Sequence, residues 1–168
     1  MIYWDMYVHH SGFHFLIAAT NKGLCFTGSD GQGEEELIAW AGKKRANEEV
    51  MESAYALAFY KKAFDAYFDG ASTVLEMPLD VVGTLFQMKV WQALKEIPFG
   101  ETCSYGDIAQ AIGKSSAVRA VGGAIGANPV MIVVPCHRVI GKNGTLTGFR
   151  GGLQLKERLL QFEQVKRA

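Results

Sequence analysis

The 168-residue chain has only three cysteines, Cys25, Cys103 and Cys136. An odd number without motif spacing argues against a disulfide framework and points to a reducing compartment, so a cytoplasmic location is expected. No apolar run approaches the roughly 18–20 residues that span a bilayer, so no membrane partner is expected. Met1-Ile2-Tyr3-Trp4-Asp5 lacks the basic stretch of a secretory signal. His9, His10, His14 and Cys25 fit no structural zinc spacing, and no metal is expected. Gly31-Gln32-Gly33 is too short and badly placed for a phosphate loop. The chain also lacks net charge, but its halves do not. Residues 1–81 hold six Lys/Arg against twelve Asp/Glu, a net of −6; residues 82–168 hold eleven against five, a net of +6. A basic second half is suited to face a polyanion such as nucleic acid.

A hydrophobic content of 49% is enough for a proper core in one or two small domains. The first half reads as strands over 2–8, 13–20 and 24–27, with turns at His9-His10-Ser11-Gly12 and Asn21-Lys22-Gly23. Helices follow from Glu34 to about Ala46 and from Glu49 to about Phe68, where Asp69-Gly70 is a stop signal. The aromatic stripe of the second helix reads as core, and Cys25 as a core thiol. Residues 71–80 read as a linker with an extended piece over 72–75, so the expected domains are 1–80 and 81–168.

In the second half, Thr84 caps a helix to about Lys95, and Ser104 caps another with Asp107 as a capping-box partner. Gly113 ends that helix. Ser115 or Ser116 is expected to cap a third helix from about Ala117 to Ile125. Helix, short Gly-containing turn, helix is the helix-turn-helix pattern. Its second member is thin: Ala117, Ala120, Gly122, Gly123, Ala124 and Gly126 surround one long charged side chain, Arg119. A major-groove reader carries several base-reading side chains. This helix suits close approach to backbone and minor groove instead.

Val133-Val134-Pro135-Cys136-His137-Arg138-Val139-Ile140 sets a polar island among apolar residues. Burying a thiol, an imidazole and a guanidinium together is costly unless each finds a partner. A strand over 131–134, bent at Pro135, would present Cys136. His137 and Arg138 are the nearest groups to take its proton or hold its charge, His137 directly or through one water. An inert buried cysteine beside a structural histidine is the alternative reading of that pair alone.

Pro135-Cys136-His137-Arg138-Val139-Ile140, preceded by Asn128-Pro129-Val130 and followed by Gly144 and Gly151-Gly152, resembles the methylated-DNA–protein-cysteine methyltransferases, the O6-alkylguanine-DNA alkyltransferases. Phe86-Gln87, Val90-Trp91, Ile97-Pro98, Gly100-Glu101-Thr102, Ser104-Tyr105 and Arg119-Ala120-Val121-Gly122 share it, as do Lys156 and Leu159-Leu160. The resemblance is strong over about 80–163 and weak before it. It implies an α+β, two-domain protein: a small ribonuclease-H-like α/β N-domain, then a mostly helical domain with the helix-turn-helix and reactive cysteine. It implies direct-reversal repair of O6-alkylguanine, with O4-alkylthymine as a second substrate, by one irreversible transfer to Cys136. The partner is double-stranded DNA carrying the lesion; no cofactor is needed, and a monomer is expected.

By the same resemblance, His137 and Glu163 deprotonate Cys136, Asn128 steadies its turn, and Tyr105 crowds the 3′ phosphate of the flipped nucleotide and gives the base a proton. Arg119 fills the vacated stack. Ser104, Tyr105, Ala117, Ala120 and Gly122 complete the DNA-facing set, and Met131, Val134, Pro135, Phe149 and Arg150 the pocket. Phe149 stands where the family usually has tyrosine, which removes one hydrogen bond to the base. Arg150 and Met131 replace smaller or more rigid residues of some relatives. Three other classes compete: a damage-binding module, which would lack the cysteine; a helix-turn-helix regulator; and a cysteine hydrolase without DNA dependence.

Overall fold

The computed structural model describes residues 1–167, so Ala168, the last residue of the expected C-terminal domain, lies outside it. The chain is α+β and divides into two compact units, Met1–Val82 and Gly83–Ala168.

The first unit is a four-stranded sheet in the order β3-β2-β1-β4, formed by β1 (Ile2–Val8), β2 (His14–Ala19), β3 (Leu24–Thr27) and β4 (Val50–Glu52). The β1-β2-β3 meander is antiparallel, whereas β4 joins β1 in parallel after the crossover helix α1 (Glu34–Lys44). Period-two alternation sorts the side chains onto two faces. Ile2, Leu16, Ala18, Cys25 and Phe26 pack with Leu37 and Ala41 of α1. On the other face, Tyr7 and Phe15 meet Phe64 and Phe68 of α2 (Ala54–Phe68) at ring-centroid distances of 5.3–6.3 Å. Burial pushes the Cys25 thiol up to about 12, so it is an inert core group.

The helix expected from Glu49 begins later. Val50–Glu52 pair with Ile2–Trp4, and Ser53 caps α2 by accepting from the Ala56 amide. Residues 72–75 form no strand. His9 turns the β1-β2 corner. Its Nε2 lies 2.7 Å from Asp69 and its Nδ1 2.6 Å from Ser11. His10 brings a third ligand-type group within 4.8 Å, but both ring nitrogens of His9 are already engaged, Nε2 with Asp69 at the end of α2 and Nδ1 with Ser11 inside the corner.

The second unit contains α3 (Leu85–Lys95), α4 (Tyr105–Ala111), α5 (Val118–Gly126) and α6 (Leu153–Arg167), with a short parallel pair, β5 (Cys103–Ser104) and β6 (Val139–Ile140). Full capping boxes start α3 (Thr84 with Gln87) and α4 (Ser104 with Asp107). Gly113 ends the turn after α4 at φ 73°, where a side chain would be strained. The expected serine cap of α5 is absent: Ala117 is the N-cap, without a side-chain bond, and its amide is satisfied by the Lys114 carbonyl. Val121, Ala124 and Ile125 bury one face of α5, and the Trp91 indole N–H donates to the Ala124 carbonyl at 2.8 Å. That bond fixes α5 against α3 and leaves Arg119, Ala120, Gly123 and Gly126 facing outward. Among the described residues, no helix is long and apolar enough to cross a membrane.

Candidate active site

The segment before Cys136 is a turn rather than the expected strand. Met131 and Val134 form only an isolated bridge, and Ile132 between them sits at φ 78°. A β-branched residue there is a real outlier, costing on the order of 1–3 kcal/mol. Asn128 supplies what holds it. Its Nδ2 donates to the Val134 carbonyl at 2.9 Å, and its Oδ1 accepts from the Val130 amide at 3.0 Å. Val134 N–H donates to the Val130 carbonyl at 3.0 Å, closing the turn. Asn128 is buried, so both bonds form away from water, where leaving either group unpaired would be costly.

Pro135 leads into a 3-10 turn, Cys136–Arg138. With three residues per turn, successive side chains leave it about 120° apart. That separates Cys136 from its neighbours. Arg138, one of the two nearest candidates to hold the thiolate's charge, turns to α6 instead. Its Nε and a terminal nitrogen donate to Glu163 at 2.8 Å each, and its other terminal nitrogen donates to the Ile97 carbonyl at 2.7 Å. Its guanidinium lies 5.7 Å from the centre of the Phe99 ring. Glu163 also accepts from His137 Nε2 at 2.9 Å. His137 is 0% exposed and Glu163 1%, so this is a desolvated cluster whose members depend on one another.

The protonation of the cluster follows. Burial alone would raise the Glu163 carboxyl, but hydrogen bonds from His137 and Arg138 outweigh it and hold the group well below the usual carboxylate range. Glu163 is therefore an anion that can only accept, which places the His137 proton on Nε2. Burial lowers His137 below its ordinary value, against the pull of Glu163, so the resting ring is neutral. Its Nδ1 then carries a lone pair, and among the described residues it has no partner. Burial raises the Cys136 thiol; a hydrogen bond from Asn128 and the charges of Arg150 and Lys156 pull the other way without reversing it. The resting site thus holds a neutral thiol and a neutral imidazole with a free base nitrogen.

The remaining candidates fall into two places. Met131, Val134, Pro135, Phe149 and Arg150 stay in the second unit around the Cys136 turn. Arg150 donates to the carbonyls of Asn128 and Pro129 at 3.3 Å. Phe149 and Met131 converge on Gly151, where an added Cβ would lie 2.8 and 3.2 Å from them. Ser104 and Tyr105 sit at the start of α4, and Ala117, Arg119, Ala120 and Gly122 at the start and middle of α5. The Tyr105 ring faces Gly122, where an added Cβ would reach ordinary contact distance at 3.8 Å. Ser104 and Tyr105 also line an open cleft of about 400 Å³ with Val118 and Lys142.

Sequence reasoning assigns no role to Lys156 or Thr147 and a different role to Arg138. Arg138 reads from its position as a partner for the thiol, whereas its side chain bonds Glu163. Lys156 is 1% exposed, and its ammonium donates to the Val139 carbonyl at 2.6 Å and the Thr147 carbonyl at 3.3 Å. Thr147 itself meets the Tyr105 hydroxyl at 2.5 Å. Lys156 shares the family resemblance and stands before Leu159-Leu160 in a run that otherwise reads as buried, two signals that mark the position without giving its partners.

Known proteins match along the whole chain. The signature of the 6-O-methylguanine DNA methyltransferase DNA-binding domain covers residues 85–165. An inducible methylated-DNA–protein-cysteine methyltransferase of Bacillus subtilis is 48% identical over 163 residues, 97% of this chain and 90% of that protein. A methylated-DNA–protein-cysteine methyltransferase of Methanosarcina acetivorans is 42% identical, covering 89% of this chain and 97% of its own. The crystal structure of Mycobacterium tuberculosis OGT in complex with DNA aligns with a TM-score of 0.78 at 37% identity, over 98% of this chain and 94% of that one.

Proposed function

The chain belongs to the methylated-DNA–protein-cysteine methyltransferases, and on that premise we propose that it repairs O6-alkylguanine in duplex DNA by moving the alkyl group onto Cys136, once per molecule and without a cofactor. The observation that carries this reading is the buried Cys136–His137–Glu163 arrangement, in which a neutral imidazole keeps Nδ1 free for the thiol's proton.

The resting thiol is protonated, so the nucleophile must be made at the moment of reaction. His137 Nδ1, which has no direct bond to the thiol, takes the Cys136 proton through one water, and the imidazolium is stabilised by the Glu163 anion behind it. The thiolate attacks the alkyl carbon in line with the bond to O6. The sulfur–carbon bond forms, the carbon–oxygen bond breaks, and its electron pair passes to the base, which takes a proton from Tyr105. The thioether has no leaving group that water displaces easily, so the protein acts once. O4-alkylthymine offers the same kind of carbon and is a second substrate. Three cysteines outside any disulfide suit a cytoplasmic setting, where the protein works as a monomer.

DNA binding falls to the second unit, residues 83–168, with net charge +6 from residue 82 onward. A Cβ added at Gly123 or Gly126 would meet nothing within 4 Å, so packing inside the protein does not require either glycine. Each glycine costs the helix up to about 1 kcal/mol relative to alanine. A partner that must come close to the helix backbone explains why the cost is tolerated, and a minor groove is such a partner. Arg119, exposed on that face, fills the gap left when the lesion swings out. Replacing Arg119 with alanine is expected to slow transfer from duplex DNA roughly 10- to 100-fold, matching the few kcal/mol of unstacking. Transfer from the same lesion in a single strand, which has no pairing to lose, should change less than about twofold. Equal losses on the two substrates would remove Arg119 from this role.

A further inference from the structure

We infer that Thr147 is a positioning residue for Tyr105, holding the phenol by its hydroxyl and stabilising the phenolate left when Tyr105 gives up its proton. The inference rests on the reading of Tyr105 as the proton donor to the departing base.

Tyr105 starts α4, and Thr147 lies 42 residues later in the loop between β6 and α6. A bond across that separation has a fixed geometry only if the loop is held. Lys156 holds it: its buried ammonium donates to the carbonyl of Val139, just before the loop, and to the carbonyl of Thr147, midway along it. On another side the Tyr105 ring faces Gly122 of α5, where an added Cβ would stand 3.8 Å from it. The phenol is thereby held between a clamped loop and the DNA-facing helix, with its oxygen 2.5 Å from the Thr147 hydroxyl.

A threonine hydroxyl has one donor and two lone pairs, and it rotates. Before transfer it can accept from the phenol or donate to it. During transfer the Tyr105 O–H bond breaks and the proton passes to the base, which has just received the electron pair of the broken carbon–oxygen bond. The phenolate oxygen then accepts a hydrogen bond from the Thr147 O–H. The thiol proton rests on His137, and solvent later returns a proton to Tyr105 as His137 releases its own. Hydrogen bonds to ionised groups are about twice as strong as neutral ones, so the contact gains strength where the charge appears.

The test measures single-turnover methyl transfer from a duplex with one O6-methylguanine, together with equilibrium binding of that duplex. Thr147→Val keeps the shape and removes the hydroxyl; it should slow transfer about tenfold and leave binding within about twofold. Thr147→Ser restores the hydroxyl and should return the rate to within about threefold of the parent. In a Tyr105→Phe background, Thr147→Val should cause no further loss, because the group it serves is gone. A parental rate for Thr147→Val, failure of serine to rescue, or an undiminished effect in the Tyr105→Phe background would overturn the role of Thr147. An unchanged rate for Tyr105→Phe itself would instead remove the proton-donor reading beneath it.

Discussion

Glu163→Ala is expected to cost the second unit about 3–5 kcal/mol, because it leaves the buried Arg138 guanidinium facing an empty site. Arg138 is only 7% exposed and gives Glu163 two of its three nitrogen groups. His137 Nε2–H loses its acceptor in the same step. Glu163→Gln separates folding from chemistry: the amide keeps one acceptor oxygen but not the charge behind the imidazolium. It should fold, yet transfer methyl roughly 100-fold more slowly. The same cluster fixes the response to acid. Glu163 has a folded value below the ordinary carboxylate value, so its contribution is present above about pH 4.3 and lost as the pH falls toward the folded value. His137 is also depressed. Its neutral form is favoured by folding, so its contribution is present above about pH 6.5 and lost as the pH falls through its lower folded value. Both act in one direction. Urea denaturation at graded pH should show stability falling below about 6.5 and more steeply below about 4.3, and Glu163→Gln should flatten the second phase. A stability that rises on acidification would contradict the cluster's charge assignment.

Cys136→Ser should reduce transfer by more than about 10⁴-fold while leaving duplex binding within about twofold. A serine hydroxyl fits the site and can use the Asn128 hydrogen bond, but the neutral His137 is too weak a base to make an alkoxide of it. The other two thiols cannot substitute. Burial pushes Cys25 up to about 12, and burial with the Asp107 charge pushes Cys103 to about 11; Cys136 is raised by burial too, but it alone has a histidine next to it in the chain to take the proton. Peptide mass spectrometry of the serine variant after incubation with lesion duplex should find no methyl on either. A methyl on Cys103 at the wild-type rate would mean that the pocket does not select the nucleophile.

Much of this fold was legible because it is written locally. Thr84 with Gln87 and Ser104 with Asp107 are complete capping boxes within four residues, and both helices start where those pairs say. The errors arose where a distant partner overrode local pattern. Val50 and Met51 fit the helical period of the residues after them, but β1 recruits them as an edge strand and Ser53 begins the helix. Met131 to Val134 is an apolar run that reads as a strand; two bonds from Asn128 fold it into a turn with Ile132 left-handed. The site divides in the same way. Cys136 and His137 stand out as neighbours in a polar island, and Asn128 and Glu163 entered through the family resemblance. The bonds of Arg138 to Glu163, of Lys156 to the loop carbonyls and of Thr147 to Tyr105 join residues 9 to 42 positions apart. No spacing rule in one chain marks them.

The most direct test of the account is intact-mass and peptide mass spectrometry of the wild-type protein mixed with excess duplex carrying one O6-methylguanine, with undamaged duplex and Cys136→Ala as controls. The account predicts one added methyl per chain, on Cys136, with no further gain over time and none in either control. Tight binding of the damaged duplex with no methyl on any cysteine would contradict it and make the chain a damage-recognition module.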